Sequence, residues 1–226
     1  MALASIAPNV WAAPMPHVFI GLHLGTRMTI VRLSDGSLFV HSPIKLDDDL
    51  KKQIDALGPV GHIVAPNLYH HLFFGDFAAA YPEAKTHGAP GLEKKRSDLT
   101  FDATLGEALD PSWRDDLSAL AVEGCAFGET VFFHHPSSTM LTADIVENFE
   151  TSDHWPTRWY LKAAGLHGTP GLSKLLRVMF RDKAKARRAI DQAVEWNPER
   201  ITLAHGEPIL ANAREALRDS YAWLSA

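Results

Sequence analysis

Two apolar, strand-like runs that each end in histidine constrain this chain most. His62-Ile63-Val64 leads into Ala65-Pro66-Asn67-Leu68-Tyr69-His70-His71, and Ile201-Thr202-Leu203-Ala204 leads into His205-Gly206. Between them, Asp144 closes a third run at 139–142. Residues at different strand ends can converge although they lie far apart in sequence, and imidazole and carboxylate are the usual nitrogen and oxygen ligands of Zn²⁺ or non-haem iron. The spacing suggests an assembled metal site. Each residue taken alone has a plainer reading. Tandem histidines can split into one buried, hydrogen-bonded ring and one solvent-facing ring, Asp144 can cap the segment from Ile145, and His205-Gly206 can be a turn. Their joint order in the chain favours the metal.

The runs around these residues alternate in type. Residues 18–22, 28–33 and 38–41 read as strands, with Ser34-Asp35-Gly36-Ser37 as a hairpin turn whose glycine accepts positive φ at little cost. Leu46, Leu50, Ile54 and Leu57 fall on one face of a helix that opens on Asp47-Asp48-Asp49 and stops at Gly58-Pro59. A buried strand at 63–65 follows, then the double histidine, a short helix at 73–81 closed by Pro82, and a strand at 84–87. Residues 92–116 form a mixed polar stretch without a clear assignment. Strands return at 120–122, 130–134 and 139–142, separated by Gly124, Gly128 and Pro136-Ser137-Ser138. Residues 151–181 are rich in Trp, Tyr, Leu, Met and Phe and read as two helices separated by 165–171, packed onto the scaffold or capping a pocket. Asp182 caps a helix ended by Pro198, the strand 201–204 delivers His205, and a last helix spans 211–224. Helix-strand-site-helix order of this kind belongs to α/β layered folds. With no repeat or low-complexity linker, 1–226 reads as one domain carrying an aromatic-rich helical insertion or cap at 151–181.

Composition excludes several classes. A chain of 226 residues with 46% hydrophobic content can bury a substantial core. A formal charge of −5 gives no broad basic surface for nucleic acid or anionic membranes, and the basic run 183–188 reads as the solvated face of a helix. The single cysteine, Cys125, rules out an intramolecular disulfide and a cysteine-rich zinc knuckle, which fits a reducing compartment. It reads as a buried, inert thiol. No stretch is apolar over the ~18 residues of a membrane span. Residues 1–16 lack a basic leader and are broken by Pro8, Asn9, Pro14 and Pro16, so a cytoplasmic protein is expected. There is no G-x-S-x-G elbow and no phosphate-cradling G-x-x-x-x-G-K loop.

The motifs Met28-Thr29-Ile30-Val31-Arg32-Leu33 with Asp35-Gly36, Leu38-Phe39-Val40-His41-Ser42-Pro43, Pro66-Asn67 with His70-His71, Phe132-Phe133-His134 with Ser138-Thr139, Thr142-Ala143-Asp144 and His205-Gly206 cover most of the chain. On these residues it resembles the metallo-β-lactamase fold superfamily, in a divergent bacterial branch carrying a domain of unknown function similar to DUF4336. The resemblance implies a four-layer αββα sandwich, with two mixed sheets face to face, helices on both outer faces and the metal site on one edge between the sheets. The family's first motif is H-x-H-x-D-H. Setting His71 on its last histidine puts His70 on the aspartate and Leu68 and Pro66 on the first two histidines; sliding by a residue puts Asn67 and Tyr69 there instead. None of these is a good ligand, so the first metal site is expected to be damaged. The second site is implied to keep His71, Asp144 and His205, helped by His70, with His134 or His135 as a weaker counterpart of the middle histidine.

Three ligands and an open position suit a hydrolytic metal site, whose bound water is acidified toward neutral pH. The expectation is a metal-dependent hydrolase with at most one Zn or Fe ion, acting on an ester, thioester, amide or lactone through metal-activated water, with Asp144 the one candidate catalytic side chain. The alternative is a metal-free, non-catalytic binding or interaction protein that retains the fold. The expected partner is a small-molecule substrate or ligand, not nucleic acid or membrane, and the tryptophans of 151–181 leave a homo-oligomeric interface open.

Overall fold

Alternation along the strands sorts the hydrophobic side chains into three separate layers, and these layers define the architecture. The computed structural model describes residues 2–106 and 110–225. Residues 107–109, inside the unassigned stretch 92–116, and the two terminal residues lie outside it. The first sheet contains β1 (Ala4–Ala7), β2 (Val10–Met15), β5 (Thr26–Arg32), β6 (Leu38–His41), β7 (Val60–Ala65), β8 (Lys85–Gly88) and β9 (Ala103–Thr104), in that spatial order. Its first four strands pair antiparallel and β6 to β9 pair parallel. The second sheet is β10 (Leu117–Ala121), β11 (Thr130–His134), β12 (Thr139–Leu141) and β13 (Arg200–Thr202), antiparallel except for the parallel pair β12 and β13. A separate small hairpin, β3 (Val18–Phe19) and β4 (Leu22–His23), stands between β2 and β5 in sequence.

Val31, Phe39 and Val64 of the first sheet meet Leu117, Phe132 and Leu141 of the second in the layer between the sheets. Their strand neighbours Ile30, Val40 and Ile63 point outward, onto Leu50 and Ile54 of α1 (Asp48–Asp55), Phe74 and Phe77 of α2 (Phe74–Ala80) and Leu92 of α3 (Leu92–Lys95). Val131, Phe133 and Met140 face the other way, onto Ala186 and Ile190 of α5 (Lys183–Glu195) and Leu217 of α6 (Ala213–Ser220). Full burial of each such side chain contributes about 1.5–3 kcal/mol, so the period-2 pattern fixes which face each sheet presents. The result is the αββα sandwich. Trp113 joins the middle layer, its ring edge-on to Phe39 at a centroid distance of 4.7 Å.

Three segments differ from the sequence reading. Residues 18–22, read as one strand, form the hairpin of β3 and β4, which turns at Ile20 and Gly21 with positive φ. The N-terminal segment forms β1 and β2 despite its prolines. Pro14 pairs with Arg27 on one side, and on the other it lies beyond the reach of β1, which ends its pairing at Ala12. A proline is tolerated where no ladder bond is required. In 151–181 only the first segment is an α-helix, α4 (Trp155–Ala164), closed by Gly165 at a φ of 75°. The second is a single 3-10 turn, Leu176–Met179. Leu161, Ala164 and Leu166 pack with Phe149 in a small satellite cluster, whereas Trp155 and Trp159 are exposed. Among the described residues no helix is long and apolar enough to cross a membrane.

Candidate metal centre

Parallel pairing of β6 with β7 and of β12 with β13 puts the carboxyl ends of four strands, two from each sheet, on one edge of the sandwich. The residues just past those ends meet there. Ser42 follows β6, His70 follows β7, Asp144 follows β12 and His205 follows β13. The Nε2 atoms of His70 and His205 each lie 3.2 Å from the same oxygen, Asp144 Oδ1. The three residues form a group whose donor atoms all fall within 4.8 Å of one another.

Each member is held by a partner on its far side. His205 Nδ1 donates to the carbonyl of Gly25 (2.8 Å), which directs Nε2 into the site. His70 Nδ1 shares a hydrogen bond of 2.9 Å with Ser42 Oγ. Such bonds fix the ring and its tautomer, as is usual behind metal-ligating histidines. Asp144 is anchored by Asn67, whose Nδ2 donates both to Asp144 Oδ2 (2.7 Å) and to Glu129 Oε2 (2.9 Å). Asn67 Oδ1 accepts the backbone N–H groups of Tyr69 and His70, both at 2.8 Å, so this one fully buried amide shapes the turn that aims His70 and also steadies its carboxylate partner. Glu129 completes the frame by accepting the N–H groups of Ala143 and Asp144, each at 2.8 Å.

Electrostatics follow from this packing. Burial works to raise the Asp144 carboxyl, but His70 and His205 outweigh it and hold the group well below the usual carboxylate range. Glu129, fully buried and beside the Asp144 charge, is pushed up instead. Burial opposes the charged form of His205, yet Asp144, Glu147 and the Gly25 carbonyl together raise its pKa above the ordinary imidazole value. Two imidazole nitrogens and one carboxylate oxygen, with tautomers set from behind, suit one borderline ion such as Zn²⁺ or Fe²⁺. His17 lies close enough to feel both His205 and His70, and burial with these neighbours lowers its pKa.

Several expected ligands lie elsewhere. His71 is not in the cluster: it is buried on the other side of the turn, where Arg96 Nη1 donates to its Nδ1 (2.9 Å). The histidine after β7 that meets Asp144 is therefore His70, the residue that the family motif sets on the aspartate. His134 shares a hydrogen bond with Ser137 Oγ (2.7 Å) and His135 Nε2 with Ser118 Oγ (3.1 Å). Both are at the hairpin joining β11 to β12, and because these strands are antiparallel that hairpin occupies the opposite end of the sheet from Asp144. Cys125 is half-buried with its thiol pushed up to about 12 by burial, which keeps it out of the chemistry.

Residues 8–167 match the family described as Domain of unknown function (DUF4336). The chain belongs to the DUF4336 family. No curated protein matches its sequence. Among solved structures, a metallo-beta-lactamase from Pontibacter korlensis superposes with a TM-score of 0.69 at 14% identity, over 99% of this chain and 98% of that one. The metallo-beta-lactamase FIM-1 from Pseudomonas aeruginosa, in its mono-zinc form, gives 0.65 at 15% identity over 99% and 94%. The Flv1 flavodiiron core from Synechocystis sp. PCC6803 gives 0.70 at 11% identity over 99% of this chain and 60% of that one. This DUF4336 protein therefore has the metallo-β-lactamase fold in a sequence that has diverged far from those relatives.

Proposed function

We propose that this DUF4336 protein is a metal-dependent hydrolase that holds a single ion through His70, Asp144 and His205 and cleaves an ester, thioester, amide or lactone. The observation that carries the reading is the convergence of two imidazole Nε2 atoms on one oxygen of Asp144, each ring fixed from behind, at the edge where two sheets meet. The mono-zinc form of a structural relative supports one ion as a sufficient complement for this fold. A bound divalent ion supplies Lewis acidity and lowers the pKa of water toward neutrality.

The chain's own groups do the rest. Asn67 holds the Asp144 carboxylate in place, Glu129 holds its backbone N–H, and His70 and His205 keep it ionised, so that it serves as a ligand. His17, near enough to His205 and His70 for burial and these rings to lower its pKa, is the candidate to accept a proton from an entering water or return one to a leaving group. The hairpin that follows it presents exposed Val18, Phe19 and Ile20, and is tied to α4 by the His23 N–H donating to Thr157 Oγ1 (2.8 Å) and by stacking of His23 on His154. An apolar rim of this kind favours a small substrate with an apolar portion. The lone cysteine supports a cytoplasmic setting.

The test is metal content of untagged protein by elemental mass spectrometry, followed by a hydrolase screen on the loaded form. Close to one Zn or Fe per first site, lost in His70→Ala and His205→Ala but kept in His71→Ala, is the expected result. Protein that stays metal-free after reconstitution would overturn it and favour the second reading, a binding protein. That reading is supported by the closed hydrogen-bond network, which satisfies Asp144 without an ion.

A further inference from the structure

The layer between the sheets holds a second group of convergent donors that the proposed hydrolytic site does not use. His62 lies on β7 and His87 on the neighbouring β8; the pairing of His62 with Lys85 and of Val64 with His87 puts both imidazoles diagonally on the inner face. They are almost fully buried, and His62 Nδ1 is 3.1 Å from His87 Nε2. Asp110, from the connection between β9 and β10, supplies a carboxylate, and donor atoms of the three residues all lie within 4.8 Å of one another. His62 is near the start of β7, away from the end that carries His70.

Hydrogen bonds fix the tautomers. Ser112 Oγ donates to Asp110 Oδ1 (2.6 Å), so it accepts from His62 Nε2 (3.0 Å). His62 Nδ1 then carries a lone pair and accepts the N–H of His87 Nε2. Metal ligation takes the deprotonated nitrogen of imidazole and the ionised carboxylate, so an ion here would take the place of the proton shared between the two rings. The nitrogen separation is also close to the roughly 3.3 Å expected between two histidine ligands on a tetrahedral zinc with bonds of about 2.0–2.1 Å. Trp113 braces both rings, with centroids at 4.9 Å from His62 and 4.5 Å from His87.

Beside this group is a cavity of about 320 Å³ lined by Lys85, His87, Asp110, Trp113 and Thr130 among others. Trp113 Nε1 and Thr130 Oγ1 are buried and find no hydrogen-bond partner among the described residues. Lys85 and Asp110 give the cavity lining a paired charge. We infer that His62, His87 and Asp110 form a second transition-metal site of the zinc class, separate from the first, whose remaining coordination position opens on this cavity and accepts water or a small oxygen ligand. Lys85, half-exposed and paired with Asp110, is the cation that neutralises the carboxylate when no metal is bound and swings away when one is.

The test uses full-length protein in which the first site has been removed by Asp144→Asn and His205→Ala, so that its outcome is independent of the hydrolase reading. Titration with Co²⁺ should give one saturable equivalent with the intense visible bands of a four-coordinate ion, and Zn²⁺ should displace it. Adding His87→Gln should abolish the spectrum. Adding Asp110→Asn, on a surface connection where folding is not at stake, should weaken binding at least tenfold. A first-site variant that is folded by circular dichroism but binds no Co²⁺ stoichiometrically, or binding that survives both added substitutions, would overturn the proposal.

Discussion

Asn67 shows how much of the centre rests on one neutral side chain. Its four hydrogen bonds reach two backbone amides and two carboxylates, so Asn67→Ala leaves several buried groups unsatisfied and is expected to cost about 2–4 kcal/mol in urea unfolding. Metal affinity should fall about 10–100-fold, as for other supporting partners of a ligand. Asn67→Asp is the sharper experiment. It replaces a donor by an acceptor facing Glu129 and Asp144, so the variant should be least stable at alkaline pH and recover as the new carboxyl is protonated on acidification; a pH-independent loss would show that shape, not charge, is at stake. Glu147 offers a second titration. Burial, with Asp144 adding to it, raises its carboxyl from 4.5 to about 7. Between those values the native protein holds a proton that the unfolded chain has released, so stability falls as pH rises from 4.5 to 7. Glu147→Gln should remove about 2–3 kcal/mol of that pH dependence, seen as a flatter curve of unfolding free energy against pH. At this scale the sequence reveals His70, Asp144 and His205 as polar residues ending apolar runs. It conceals Asn67, which reads as a poor substitute for a histidine, and Glu129, whose only trace is a charge immediately before a fully buried strand. The choice of His70 over His71 is equally hidden, because it depends on a turn set by Asn67 side-chain bonds and not by any periodicity.

Elements position these residues through short, strained connections. Gly206 follows His205 with a φ of 88°, and a Cβ there would meet the Asn148 carbonyl oxygen at 1.9 Å. Gly206→Ala must therefore push the loop after β13 away from Asn148, which moves His205. Loss of stability together with loss of the first-site metal is expected, measured by thermal melting and metal content; a variant with full metal occupancy would show that His205 is aimed by Gly25 alone. The strands and the helices α1, α2 and α5 are legible because period-2 and period-3.6 patterns mark their buried faces. β1 and β2 are not legible, since small residues and prolines carry little pattern and the place of β2 in the sheet depends on pairing with β5. The 3-10 turn at Leu176–Met179 is missed for a related reason: its apolar residues suit a helix, but the turn half-buries only Leu176 and Met179 against the core and leaves Val178 exposed.

At the level of the molecule, the two sheets share a middle layer and a common edge, so ligand binding at that edge is coupled to the whole sandwich. A metal at 100 times its dissociation constant should stabilise the fold by about 2.7 kcal/mol. For a chain of this size that corresponds to a rise in melting temperature of about 5–11 °C, reversed by a chelator. Wild-type protein whose melting temperature is indifferent to both would argue against a bound ion. The αββα order could be read from the sequence through family resemblance more than through patterning, because the pairing of β12 with β13 spans a long insertion that no local signal bridges. That same pairing has a consequence for biosynthesis. His205 follows β13, which is synthesised well after the segments that carry His70 and Asp144. A nascent chain, or one clipped by a protease ahead of β13, can display most of the sandwich yet has no complete donor set. The ion proposed for this edge would thus be held only by chains in which β13 has been made and docked.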